Sequence, residues 1–200
     1  ALMQTTKERI LSAAARQFAL FGYEGAALRA IGDEAGIRAA SIFHHFPGGK
    51  QELYDTITAE LMELAQSRLL TVAGLGLGPA QTLTVFAAVF WDALAEKPDL
   101  ASLLLRESFE AVSDRNAVKR DLARAFVQHM LGVLRTSRDS GALPNLEPEA
   151  LVMAIAYYGV VAHGAPVIRE MLYGEAVTGD AMREDFLAMV RRLVGAAEPG

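Results

Sequence analysis

The 200-residue chain is 52% hydrophobic and 22% charged, enough apolar material to bury a core, which argues against disorder. It contains no cysteine, so disulfides, thiolate metal sites, thiol catalysis and thiol redox sensing are excluded. The net charge of −5 is unevenly spread: residues 1–50 hold six Lys/Arg against four Asp/Glu, for +2, and residues 51–200 hold thirteen against twenty, for −7. A small basic segment on an acidic body is the asymmetry of a nucleic-acid reader, although +2 alone decides nothing.

Helical spacing runs along almost the whole chain. Ile10, Ala14, Phe18 and Phe21 recur every three or four residues and predict a first helix over 5–21, closed by a turn between Gly22 and Gly25. A short helix over 28–35 turns Leu28, Ile31 and Ala35 inward and stops at Gly36. A third runs over 39–45 before Pro47-Gly48-Gly49 breaks the chain, and a long fourth spans 50–72. The run from Gly74 to Gly78 superficially suggests a dinucleotide loop, but Pro79 stands where the motif needs its last glycine. It also follows a helix instead of a strand, so a nucleotide-binding reading is rejected.

Further helices are expected over 80–96, 99–112, 114–140, 147–173 and 179–195, with Pro98, Pro144 and Pro148 at their boundaries. No segment alternates over strand length and no repeat is present, so the fold class is all-α with about nine helices. Residues 150–168 carry no formal charge, but Gly159, His163, Gly164 and Pro166 interrupt the run. It reads as a helix buried in a protein interface, with no membrane partner. No apolar run of signal-peptide length lies near the N-terminus, and a cytoplasmic location is expected.

Helix, glycine turn and short helix over Ala27–Phe46 is the geometry of a helix-turn-helix, whose second helix enters the major groove. Leu28, Ile31, Ala35, Ile37, Ile42 and Phe46 would hold the two helices at a fixed angle and read nothing. That leaves Arg38, Ala39, Ala40, Ser41, Phe43, His44 and His45 to face DNA. Small residues at the helix start allow close approach, and Ser41 can bond a base edge or phosphate. Arg29 can reach a guanine edge or a phosphate, and Lys50 is placed for a flanking phosphate.

Residues 5–54 resemble the DNA-binding domain of the TetR family of bacterial repressors. The resemblance rests on Phe18-Ala-Leu-Phe-Gly22, Ile31-Gly-Asp-Glu-Ala-Gly-Ile37, Ser41-Ile-Phe-His-His-Phe46 and Lys50-Gln-Glu-Leu53, in order and correctly spaced over a quarter of the chain. The family pattern usually has threonine at the place of Ala27, serine at Arg38 and tyrosine at Phe43, and its turn before Lys50 is one residue shorter. Each missing helix cap costs on the order of 1 kcal/mol locally.

The resemblance implies a DNA-binding domain over 1–50, with the fourth helix connecting it to an effector-binding and dimerisation domain over 51–200. It implies operator DNA, a second copy of the chain and a largely apolar small-molecule effector as partners, no cofactor, and release of a repressor from its operator. The dimerising pair would be the helices from Glu147 and Gly179. Their stripes support this: Leu151, Ile155, Tyr158 and Ala162 on one, Phe186, Met189, Val190 and Leu193 on the other.

Trp91, Phe109 and Tyr157 are candidates to line an effector cavity, the alternative for each being ordinary core, and His129 is a further candidate on an apolar helix. Arg106, inside a leucine-rich run, lies either at a helix surface or inside, where it would orient an anionic ligand. His44 and His45 diverge on a helix and no ligand spacing appears, so no metal site is expected. Nor is a constellation of acid, base and nucleophile visible, and an enzyme is not expected.

Overall fold

The computed structural model describes residues 4–107, 117–144 and 146–195. These form ten helices: α1 (Thr6–Gly25), α2 (Leu28–Ala35), α3 (Ala39–His45), α4 (Gly49–Ala73), α5 (Pro79–Glu96), α6 (Pro98–Glu107), α7 (Ala117–Asp139), α8 (Pro148–Gly164), α9 (Pro166–Tyr173) and α10 (Gly179–Val194). The fold is all-α.

Local chemistry sets the boundaries. At the start of α1 the Thr5 hydroxyl accepts from the Glu8 amide at 3.2 Å while the Thr5 amide donates to the Glu8 carboxylate at 2.7 Å, a reciprocal cap. Gly22 breaks α1 with φ 70° and ψ 177°, so the regular helix ends where the glycine predicts and only a kinked last turn follows.

The segment expected as a single helix over 147–173 is two helices, α8 and α9, bent by 98°. Pro166 explains the break: it has no amide proton for the next rung, and it disfavours helical backbone at Ala165, which takes φ −125° and ψ 73°. The Gly164 carbonyl at the end of α8 accepts instead from the Ser102 hydroxyl of α6 at 3.2 Å. No single described helix is long and apolar enough to cross a membrane; α8 and α9 reach that length only together, across their bend.

The side chains condense into two cores. The first takes Ile10, Ala14 and Phe18 from α1, Ile31 and Ala35 from α2, Ile42 from α3 and Phe46 after it. It is completed by Leu53, Tyr54 and Ile57 of α4 and by Leu100 and Leu103 of α6. Burial of each large side chain contributes about 1.5–3 kcal/mol, so the α2–α3 angle is held partly by helices outside residues 1–50. The second core joins α5, α7, α8 and α10 around Trp91, Leu134, Ile155 and Phe186.

That second core takes in much of the expected dimer surface. Leu151, Ile155, Ala162, Phe186 and Val190 are buried within the chain, with Tyr158, Met189 and Leu193 packed against them. The reason is that α8 is apolar on most of its circumference. Its most regular stripe faces α5 and α10 of the same chain, leaving Met153 and Tyr157 exposed on another side.

Candidate nucleic-acid interface

Two glycines shape the α2–α3 unit. Gly36 ends α2 in the left-handed region, φ 71° and ψ 34°, and the Ile37 amide donates to the Gly32 carbonyl at 2.9 Å. A side chain at Gly32 would stand 3.0 Å from both the Ala39 nitrogen and the Ile37 oxygen, so α2 and the start of α3 meet backbone to backbone. Neither Ala27 nor Arg38 makes a side-chain cap to the helix it precedes, as the residue types dictate.

Ile42 and Phe46 are buried, and this turns the opposite side of α3 outward. Arg38, Ala40, Phe43, His44 and His45 are exposed there, with Ala39 and Ser41 half-buried beside them. Arg29 projects from the first turn of α2, its side chain 90% exposed, and among the described residues pairs with Asp33 at 4.0 Å. An ion pair that long and that exposed is easily exchanged for another anion.

Lys50, expected at a flanking phosphate, is engaged within the chain. Its ammonium group donates to the Glu24 carbonyl at 3.1 Å and lies 4.8 Å from the centre of the Tyr23 ring. It ties the start of α4 to the end of α1, because a carbonyl at a helix C-terminus and an aromatic face both attract a cation. Two neighbours escaped sequence reading. Lys7 lies over the Phe46 ring at 5.3 Å, bringing a cation from α1 to the end of α3. Gly49 has φ 60°, and a side chain there would stand 2.9 Å from Phe43 Cε1, so the Phe43 ring rests on the glycine backbone.

Of the expected effector residues, Trp91, Tyr157 and Arg106 are described, and they stand apart. Trp91 is 2% exposed and stacks on Phe186 in the second core, with ring centres 5.2 Å apart. Tyr157 is 41% exposed on the outer side of α8. Arg106 lines an open cleft with Leu20, Ser102, Leu105, Gly164 and Pro166, where its guanidinium donates to the Ala19 carbonyl at 3.3 Å and the Leu20 carbonyl at 2.9 Å, near the end of the regular part of α1. Phe109 and the His129 side chain lie outside the described residues. What could have revealed Arg106 is the glycine break at Gly22, because the last carbonyls of a regular helix seek partners outside it.

Comparison with known proteins agrees with this geometry. Residues 10–57, covering most of α1 through the start of α4, match the family model described as bacterial regulatory proteins, tetR family. The HTH-type transcriptional regulator LmrA of Bacillus subtilis is 36% identical over 81 residues, covering 40% of this chain and 43% of that protein; this chain thus spans less than half of that relative. The HTH-type transcriptional repressor KstR2 of Rhodococcus jostii is 24% identical over 202 residues, covering 96% of this chain and 92% of that protein. Among solved structures, AibR in complex with isovaleryl coenzyme A and operator DNA superposes with a TM-score of 0.73 at 16% identity, over 95% of this chain and 98% of that one. Residues 10–57, the helix-turn-helix and its flanks, are therefore similar to the tetR family of bacterial regulatory proteins.

Proposed function

We propose that the chain is a ligand-responsive transcriptional regulator that acts as a homodimeric repressor and leaves its operator when a small, largely apolar molecule binds. The observation that carries this reading is the outward row of α3, held at a fixed angle on a core shared by four other helices, within a segment matching a family of DNA-binding regulators. Residues 1–50 would carry the DNA contacts and residues 51–200 the effector and dimer functions, on chromosomal DNA in the cytoplasm. Arg29, Arg38, Ser41, His44 and His45 are the polar contacts, with Ala39, Ala40 and Phe43 between them. Lys50 positions α4 and reaches phosphate only by leaving Glu24.

In a dimer, two copies of α3 must lie about one DNA turn, roughly 34–36 Å, apart to enter successive major grooves. A ligand favouring another spacing shifts the population away from DNA. The relatives are named as regulators and repressors, which supports a binding function over catalysis.

Retention of genomic fragments in the presence of excess non-specific polyanion tests the reading. The wild-type chain should retain a small set of fragments, and Arg29→Ala should bind them roughly 1–3 kcal/mol more weakly. Uniform retention of all fragments, or none, would remove sequence-specific regulation as the function.

A further inference from the structure

We propose that α3 reads thymine through its 5-methyl group, using an apolar strip made of Ala39, Ala40 and Phe43; this rests on the DNA-reading function proposed above. Residues 39, 40 and 43 are neighbours on one side of a helix, since separations of three and four residues share a face. Ile42 and Phe46 are turned into the core, and Ser41 and His45 fall on the opposite flank from the strip.

Phe43 is the main component. It is 49% exposed, whereas Ile31, Ile42 and Phe46 of the same unit are buried. Its ring does not swing free, because it rests on Gly49, whose positive φ and missing side chain make room for it. A large apolar group held rigidly at the surface of a reading helix needs an apolar partner. In the major groove the only such partner on an unmodified base is the thymine methyl; every other base edge there offers donors and acceptors. The strip has no side-chain donor or acceptor, and α3 contains neither Asn nor Gln, the side chains suited to a bidentate bond with adenine. Pressed on a purine edge, it would strip water from polar atoms and return nothing.

The test begins with selection of bound duplexes from a random-sequence library by the full-length protein. In the preferred duplex each thymine is then replaced, one at a time, by deoxyuridine, which keeps every hydrogen-bonding edge and removes only the methyl. Expected is a loss of about four-fold at one or two thymines per recognition helix, the factor that burying one methyl group supplies. Phe43→Ala, with its helical spectrum unchanged, should bind thymine and deoxyuridine alike at one of those positions. Equal affinity of the wild-type protein for all the uridine duplexes overturns the inference and leaves DNA reading intact. Failure to enrich any sequence overturns DNA reading itself, and this inference with it.

Discussion

His163 stands edge-on to Trp91, ring centres 4.5 Å apart, with its Nε2 buried and unpartnered among the described residues. Burial lowers its pKa, Arg169 of α9 lowers it further, and Asp92 of α5 pulls the other way. Asp92 is itself held in a two-pronged pair with Arg183 of α10, at 2.7 and 3.0 Å, which blunts its pull on the imidazole. A ring kept neutral in the folded chain binds fewer protons than in the unfolded one, so its contribution to stability is present above about pH 6.5 and is lost as pH falls below it. The urea midpoint should therefore drop between pH 7.5 and 5.5, and His163→Phe should remove part of the drop. An identical drop in the variant would assign it to other groups. Lys50 admits a similarly direct measurement. Lys50→Met should destabilise by about 0.5–1 kcal/mol, the worth of a cation on an accessible aromatic face, while the salt dependence of DNA binding stays as in wild type. A slope smaller by about one would mean that Lys50 exchanges Glu24 for a phosphate.

Among the helices, α6 has the most demanding position. Leu100 and Leu103 enter the first core, Arg106 holds carbonyls of α1, and the neighbouring Ala101 and Ser102 press on the end of α8. The α6–α8 contact depends on Gly164, where a side chain would stand 2.7 Å from the Ala101 oxygen and 2.9 Å from the Ser102 nitrogen. Gly164→Ala must therefore push backbone from backbone, and a destabilisation of about 1–3 kcal/mol is expected from overpacking, read as a lower urea midpoint. An unchanged midpoint would show that the two helices can separate freely. None of this could be read from the sequence, because a glycine after a charge-free run gives no sign of which helix approaches it. The α1–α3 unit was legible for the opposite reason. Gly22, Gly36 and Gly49 each occupy positive-φ positions that glycine favours, so punctuation alone set the boundaries there. Pro166 is the intermediate case, visible in the sequence but outweighed there by the apolar run around it.

At the scale of the whole molecule, the question is which surface a second copy would cover. The stripes through Leu151, Ile155, Phe186 and Val190 were found by their period, and period reports that a face is buried without saying by what. Their partner is α5 of the same chain. What remains open is the other side of α8, with Met153 and Tyr157, and the helix α9, where Val167, Ile168, Met171 and Leu172 are all exposed, Met171 at 81%. No residue of α9 is buried, although half of its eight residues are these large apolar ones. Exposed apolar surface of this extent is a candidate association site, and homodimer interfaces have the most apolar cores among protein contacts. The proposed homodimer is therefore expected to form over α8 and α9. Tyr157→Glu combined with Met171→Glu should give folded monomers by sedimentation, with an unchanged helical spectrum, because both side chains are exposed and lie outside the two cores. Leu151→Glu should instead lower the urea midpoint by several kcal/mol equivalents of stability, since it would bury a charge without a partner. A folded dimer that survives the double substitution would move the interface off this surface, and a folded Leu151→Glu monomer would return it to the stripe that the sequence first suggested.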